Sequence, residues 1–278
     1  MADSIFKSKW FSEFSMRALK SAIHDSAENA IALEGPLMSE LVLQLLSMQK
    51  NKTLFNEGLY KFYSFCQPKL FLSHSQILQD LWVLYMLKEK ENGYFVEFGA
   101  CDGLSMSNTL LLEQRYNWKG ILAEPNPIWH EQLLKSRKAS ICKKCVSSSS
   151  GEIISFLSTP NEPELSRIEK IIPNDIHEKN GNRDLTDRID VETISLNDLL
   201  DQYNAPSYID YLSIDTEGSE LEILKSFDFS RHQIQLISIE HAGDTEKRVE
   251  IKNILEGNGY TRWRPELSRW DDWFFKQK

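Results

Sequence analysis

The chain has 278 residues, with 32 Lys and Arg against 41 Asp and Glu, a formal net charge of −9 at pH 7 and a pI near 5.3. That balance excludes nucleic acid binding by bulk electrostatics, although a local basic pocket for a phosphorylated small molecule stays open. At 41% apolar and 26% charged residues, the composition is that of a globular protein. It is long enough for one large domain, or a domain plus an extension, and needs no covalent staples.

Four cysteines, Cys66, Cys101, Cys142 and Cys145, are too few for a disulfide scaffold and point to a reducing, cytoplasmic compartment. Cys142-Lys-Lys-Cys145 has zinc-knuckle spacing but no second pair, so strand cysteines are the plainer reading. The start, Met-Ala-Asp-Ser, lacks a secretory pattern. The longest apolar stretch, Leu41 to Met48, is too short to span a bilayer, so no integral membrane segment is expected.

In chain order, residues 1–90 read as helical. Ser39 is an N-cap for "SELVLQLLSM". "SQILQDLWVLYMLKEKENG" puts Ile77, Leu81, Leu84 and Tyr85 on one face, with Gly93 just past its end. From residue 94 short apolar runs alternate with helical stretches. Strands are expected at 94–99, 120–125, 140–146, 209–215 and 234–241, with helices between several of them. The pattern predicts a parallel sheet covered on both faces. The C-terminal "YTRWRPELSRWDDWFFKQ" reads as a closing antiparallel hairpin. Residues 158–188 break the rhythm: long, polar and proline-punctuated, they read as a lid or substrate loop, or as a surface insertion. His177 lies on this stretch.

In an open parallel sheet, ligands bind beyond the carboxyl ends of the strands. Glu97, Gly99, Ala100, Cys101, Asp102 and Gly103 fall at the end of the first strand, where the glycines allow a tight turn and a close ligand. Glu124 ends the next strand and is placed to accept hydrogen bonds from both hydroxyls of a ribose. The run Glu-Phe-Gly-Ala-Cys-Asp-Gly lacks the third glycine of a dinucleotide fingerprint, and its acids would face a pyrophosphate. That counts against a dehydrogenase. A cationic nucleoside, S-adenosylmethionine, fits better, with Glu97 holding its methionine end.

"YFVEFGACDGLSMSNTLLLEQRYNWKGILAEPNP" and "IDYLSIDTEGSELEILKSFDF", followed by "ISIEH", resemble the FkbM-type S-adenosylmethionine-dependent methyltransferases. The resemblance begins at "SHSQILQD" and covers about residues 74–275. It implies a Rossmann-like class I fold: an α/β, doubly wound, seven-stranded, mostly parallel sheet with one antiparallel hairpin. It also implies methyl transfer to oxygen, commonly a sugar hydroxyl in glycan or natural-product biosynthesis. By resemblance, Ser107 and Asn108 assist cofactor binding, Glu124-Pro125 belongs to the nucleoside site, and Cys145 and Val146 line the adenine. Residues 1–73 are then a helical N-terminal extension, a cap or an oligomer or partner contact, and 74–278 the methyltransferase domain.

At the reacting end, Asp215 closes one strand, Glu217 opens the following helix, and Glu240 and His241 close the neighbouring strand. An alcohol attacks a methyl group poorly while it keeps its proton. Either a base, His241 or Asp215, or a divalent ion held by Asp215, Glu240 and His241 answers that need. Glu217 is a further catalytic candidate. The acceptor is expected to be a sugar or nucleotide-sugar, with Arg167, Lys170, Lys179, Arg183 and Arg188 as candidates to meet phosphates. A non-sugar metabolite and an inactive scaffold are the alternatives.

Overall fold

The computed structural model describes residues 57–172 and 176–277. The expected helix at 39–48, and any oligomer contact through residues 1–56, lie outside the described residues. The chain opens with helices α1 (Glu57–Cys66) and α2 (Gln79–Met86), joined by a 3-10 turn over Gln67–Leu72. Strand β1 (Tyr94–Phe98), helix α3 (Leu110–Tyr116), β2 (Lys119–Ala123), α4 (Pro127–Ser136) and β3 (Ser140–Cys142) follow. Then come β4 (Cys145–Ser147), β5 (Ile153–Ser158), β6 (Arg167–Ile168), α5 (Ile176–Lys179) and β7 (Asp187–Ser195). The last part holds α6 (Leu196–Gln202), β8 (Tyr208–Ile214), α7 (Glu220–Ser226), β9 (Gln233–Glu240), α8 (Thr245–Gly257), β10 (Tyr260–Trp263) and β11 (Asp271–Lys276).

Seven strands form the main sheet in the order β10-β11-β9-β8-β1-β2-β3. Strands β3, β2, β1, β8 and β9 run parallel, and β11 pairs antiparallel with both β9 and β10. This is the Rossmann-like class I arrangement, including the closing hairpin. Successive side chains of a strand alternate faces, and the core divides accordingly. Phe95, Leu122, Tyr211, Leu236 and Trp273 pack on one side with α1 and α2. Val96, Ile121, Leu212, Ile237 and Phe274 pack on the other with α6, α7 and α8.

The run 140–146 is two strands rather than one. β3 extends the main sheet, whereas β4 pairs in parallel with β7 in a second sheet of order β4-β7-β5-β6. The stretch 158–188 also carries more regular structure than a bare loop, with a 3-10 turn at Pro163–Leu165, β6 and the short α5. It stands on this second sheet as a roof segment. The division drawn at residue 73 matches no break in packing, because Phe62, Tyr63, Cys66 and Leu70 belong to the same core as Trp82 and Trp273. Among the described residues, no helix is long and apolar enough to cross a membrane.

The sheet order reverses between β1 and β8: the chain builds outward from β1 to β3, then returns to the other flank. At this switch point the two strand ends approach closely. Gly99 (φ +70) has no room for a side chain, since a Cβ there would stand 2.1 Å from the Asp215 carbonyl oxygen.

Candidate functional site

A cavity of about 530 Å³ opens at that switch point. Its walls include Glu97, Gly99, Ala100, Cys101, Ser107, Asn108, Glu124, Pro125, Cys145 and Val146 at one end, and Asp215, Glu217 and Glu240 at the other. Thirteen positions singled out from sequence thus face one space. Asp102, Gly103 and His241 do not.

Glu97 is buried in β1, and its partners come from its own chain. Its carboxylate accepts from the backbone N–H of Asn108 (2.7 Å), from Ser107 Oγ (3.1 Å) and from Thr109 Oγ1. Arg137, itself buried, stands 3.7 Å away and donates to Ser107 Oγ and Thr109 Oγ1. Glu97 therefore fixes the start of α3 against the sheet while also lining the cavity. Asp102 is engaged locally: its carboxylate accepts from the N–H groups of Leu104 and Ser105. Gly103 (φ +76) is needed for packing, since a Cβ there would meet Leu133, Ser136 and Arg137 within 3 Å.

Glu124 follows β2 and is almost fully buried. The N–H groups of Cys101 (2.9 Å) and Asn126 (2.8 Å) hold its two oxygens in place. Burial nevertheless raises its pKa to about 7, against those two hydrogen bonds. Asn126 caps α4 and donates to Ser158 Oγ and Ser166 Oγ, so the Glu-Pro-Asn-Pro turn ties the Glu124 end of the cavity to the second sheet and the roof. Asn108 gives its amide N–H to Ser213 Oγ (2.9 Å), while its carbonyl oxygen is buried without a partner.

At the other end, oxygens of Asp215, Glu217 and Glu240 lie within 4.8 Å of one another. Three half-buried acids this close resist ionising together. Burial and the nearby Glu220 raise Asp215 to about 7, and burial with Asp215 raises Glu217 to about 8. Glu240 is pushed well above the carboxylate range by burial and by Asp215. Its Oε2 is buried without a hydrogen-bond partner. Burial also opposes ionisation of Glu220, yet Lys247 Nζ at 2.9 Å and the Gly218 N–H hold it below the usual range.

His241 does not join the three acids. Its Nε2 donates to the Asp271 carbonyl (3.1 Å), and its Nδ1 accepts from the Gly243 N–H (3.0 Å). Both ring nitrogens are engaged by backbone, and burial pushes its pKa down to about 4. It is therefore neither ligand nor base in this arrangement; Glu217 replaces it in the acid cluster. His177 of α5 does face the cavity. Cys142 and Cys145 are buried, free thiols on different sheets, and no zinc-knuckle geometry unites them.

Arg183 and Arg167 turn inward, whereas Arg188 stays exposed. Arg183 pairs with Glu217 and stands 3.7 Å from Glu178, and Arg167 donates to the carbonyls of Ile168, Glu169 and Ile171. Arg188 pairs with Glu169. Sequence reasoning missed Glu162, Glu164, Phe156, Arg269 and Trp270, which also line the cavity. Arg269 and Trp270 arrive on the turn before β11, where the N–H groups of His241 and Ala242 bond the Trp270 carbonyl. That pairing is remote in sequence and leaves no local pattern.

Residues 97–274, more than half of the chain, match the Methyltransferase FkbM domain. A methyltransferase sdnD of Sordaria araneosa is 29% identical over 204 residues, covering 63% of this chain and 77% of that protein. Among solved structures, the methyltransferase FkbM of Methylobacillus flagellatus KT matches at 15% identity and a TM-score of 0.44, over 86% of this chain and 59% of that one. The precorrin-6y C5,15-methyltransferase of Geobacter metallireducens GS-15 matches at 12% identity and a TM-score of 0.36, over 71% and 87%.

Proposed function

The chain belongs to the FkbM methyltransferase family, and we propose that it moves the methyl group of S-adenosylmethionine to a hydroxyl of a sugar or nucleotide-sugar. One observation carries the reading: a single cavity joins a nucleoside end, built on Glu124, to an acid-lined end at Asp215, Glu217 and Glu240. The residues present fit the cofactor. Glu124 is aimed by two backbone N–H groups and keeps lone pairs for ribose hydroxyls. The unpartnered, buried Asn108 carbonyl oxygen suits an ammonium donor.

S-adenosylmethionine, when bound, supplies a methyl group activated by its sulfonium. The chain's part is to orient the acceptor hydroxyl and take its proton. Asp215 and Glu217, near 7 and 8, lie where a general base works best at neutral pH. The same acids, all hard oxygen donors, would suit a divalent ion such as Mg²⁺ or Mn²⁺, which would lower the hydroxyl pKa and orient a second oxygen. The ligand set proposed for it is Asp215, Glu217 and Glu240.

The test has two stages. Calorimetry should give saturable binding of S-adenosylhomocysteine to the full chain. A screen of free sugars, glycans and nucleotide-sugars, read by mass spectrometry, should then give a product heavier by one methyl group. No binding at the first stage overturns the cofactor reading. Loss of activity on chelation, restored by one divalent ion, favours the metal; indifference to chelation favours the carboxylate base.

A further inference from the structure

We propose that Gln76, on the turn ahead of α2 and outside the span 97–274 that matches the family, completes the cofactor site: its side-chain amide donates to the carboxylate of the methionine end. The inference rests on the S-adenosylmethionine reading above and adds a binding residue to it.

The methionine end carries an ammonium and a carboxylate, so its site needs acceptors for the one and a donor for the other. An acceptor is present in Asn108 Oδ1, which is buried without a partner. Donors on the same wall are scarce, because the turn after β1 uses its own. The N–H groups of Gly99 and Ala100 bond the Ala123 carbonyl, and that of Cys101 bonds Glu124. Those of Leu104 and Ser105 go to Asp102, and that of Asn108 goes to Glu97. The Ser105 and Ser107 hydroxyls also donate to acids, Asp102 and Glu97.

Gln76 is placed differently. It is half-buried and lines the cavity, and its Nε2 stands 2.9 Å from Met106 Sδ. Met106 lines the cavity too and leads directly into Ser107 and Asn108, so the amide lies against the wall that carries the unpartnered carbonyl. A thioether is a weak acceptor. An ionised carboxylate would give the same N–H a stronger, charge-assisted bond. The turn that carries Gln76 is held on both sides. Ser75 Oγ donates to buried Asp80 at 2.7 Å, and the Ile77 N–H donates to Gln79 Oε1 at 3.0 Å. The Gln79 amide in turn reaches Asp271 at 2.8 Å. Binding therefore has little backbone left to order at this point. The cofactor site then draws on both flanks of β1: the glycine turn after it, and the turn that precedes α2.

The experiment is calorimetry on the full chain with three ligands: S-adenosylmethionine, S-adenosylhomocysteine, and decarboxylated S-adenosylmethionine, which keeps the sulfonium and the amine but has no carboxylate. Gln76→Ala should weaken the first two by about tenfold or more, the scale of a hydrogen bond to a charged group, and leave the third unchanged. Gln76→Glu keeps the shape and sets like charge against the carboxylate. It should weaken the first two further, while the decarboxylated ligand loses nothing. Equal weakening of all three ligands would mean that the substitutions only disturb the turn, and would overturn the proposal. So would native affinity for S-adenosylmethionine in both variants. Arg269→Ala is run beside them, since Arg269 lines the same cavity. If that variant, rather than Gln76→Ala, removes the difference between the carboxylate-bearing and decarboxylated ligands, the arginine holds the carboxylate and the proposal fails. Failure of the native chain to bind any of the three ligands would instead refute the S-adenosylmethionine reading.

Discussion

Glu124 shows how one residue can be both oriented and poised. Its carboxylate is held by two backbone N–H groups and is still raised to about 7 by burial. Replacing it by Ala should weaken S-adenosylhomocysteine binding by about 1–3 kcal/mol, the scale for losing a buried charged acceptor; calorimetry reads this directly. The acids at the far end give a second expectation. Asp215 and Glu217 hold protons up to about 7 and 8, and a bound cation favours their ionised forms. Affinity for S-adenosylmethionine should therefore rise as pH rises through that window. S-adenosylhomocysteine lacks the sulfonium, so its affinity should rise less. Parallel pH profiles for the two ligands would mean that the sulfonium does not sense these acids. His241 behaves differently from what its neighbours in sequence suggested. Its pKa is depressed in the folded chain, so the stability it contributes is present above the unfolded value near 6.5 and is lost as pH falls toward about 4. Several cavity residues also hold positive φ without being glycine: Cys101 (47°), Met106 (57°), Glu217 (55°), Ala242 (52°) and Arg269 (48°). Such conformations cost energy and persist where the surroundings impose them, often at functional sites.

Among the elements, the roof segment couples the second sheet to the acid-lined end of the cavity. Arg183 joins the two, since it bonds the Leu165 carbonyl on one side and Glu217 on the other. Asn182 adds two contacts of 2.9 Å to the Glu162 carboxylate. Arg183→Ala should free residues 162–184 and leave Glu217 as a carboxyl without its cation. Hydrogen exchange should speed up across the segment, and KM for the acceptor should rise more than the Kd for S-adenosylhomocysteine. Unchanged exchange would mean that β5 and β6 hold the roof without the arginine. The elements also mark where sequence stops being informative. β1, β2, β8 and β9 were legible because a parallel strand buried on both faces reads as an apolar run. β4 was not. A three-residue strand after Lys143-Lys144 carries no period of its own, and its sheet depends on β7, nearly fifty residues later. The site divides in the same way. Strand ends were legible because the switch point is a property of the sheet. The partners of His241 and Arg183 were not, because both are set by backbone turns and loops that come together only in three dimensions.

For the whole molecule, the open question is where the methyltransferase domain begins. The stretch "SHSQILQD" is structural at its core. Buried Asp80 accepts from Ser73 Oγ and Ser75 Oγ, each at 2.7 Å, and from the His74 N–H at 2.9 Å. Gln79 reaches across to Asp271 at 2.8 Å, beside the turn that delivers Arg269 and Trp270 to the cavity. Ahead of it, α1 covers an aromatic stack. Trp82 and Trp263 each stack on Trp273, at 5.2 Å and 5.7 Å, and Phe62 of α1 meets Trp263 edge-on at 5.0 Å. Trp263 and Trp273 belong to the antiparallel hairpin at the far end of the sequence, so α1 clasps the last strands of the sheet. A chain beginning at residue 74 would leave that stack open to water on the side α1 now covers. It should melt at a lower temperature than the full chain. Phe62→Ala, at a side chain only 1% exposed, should cost about 3–5 kcal/mol in denaturant unfolding, as a large core side chain does. The loss should reach the site through Trp273 and Asp271, so cofactor affinity in the shortened chain should fall along with stability. If the shortened chain melts with the full one and binds S-adenosylhomocysteine equally well, residues 57–73 are an appendage and the domain does begin at residue 74. If both fall, the first described helix is part of the enzyme, and the sheet is closed by its own N-terminal segment rather than by the hairpin alone.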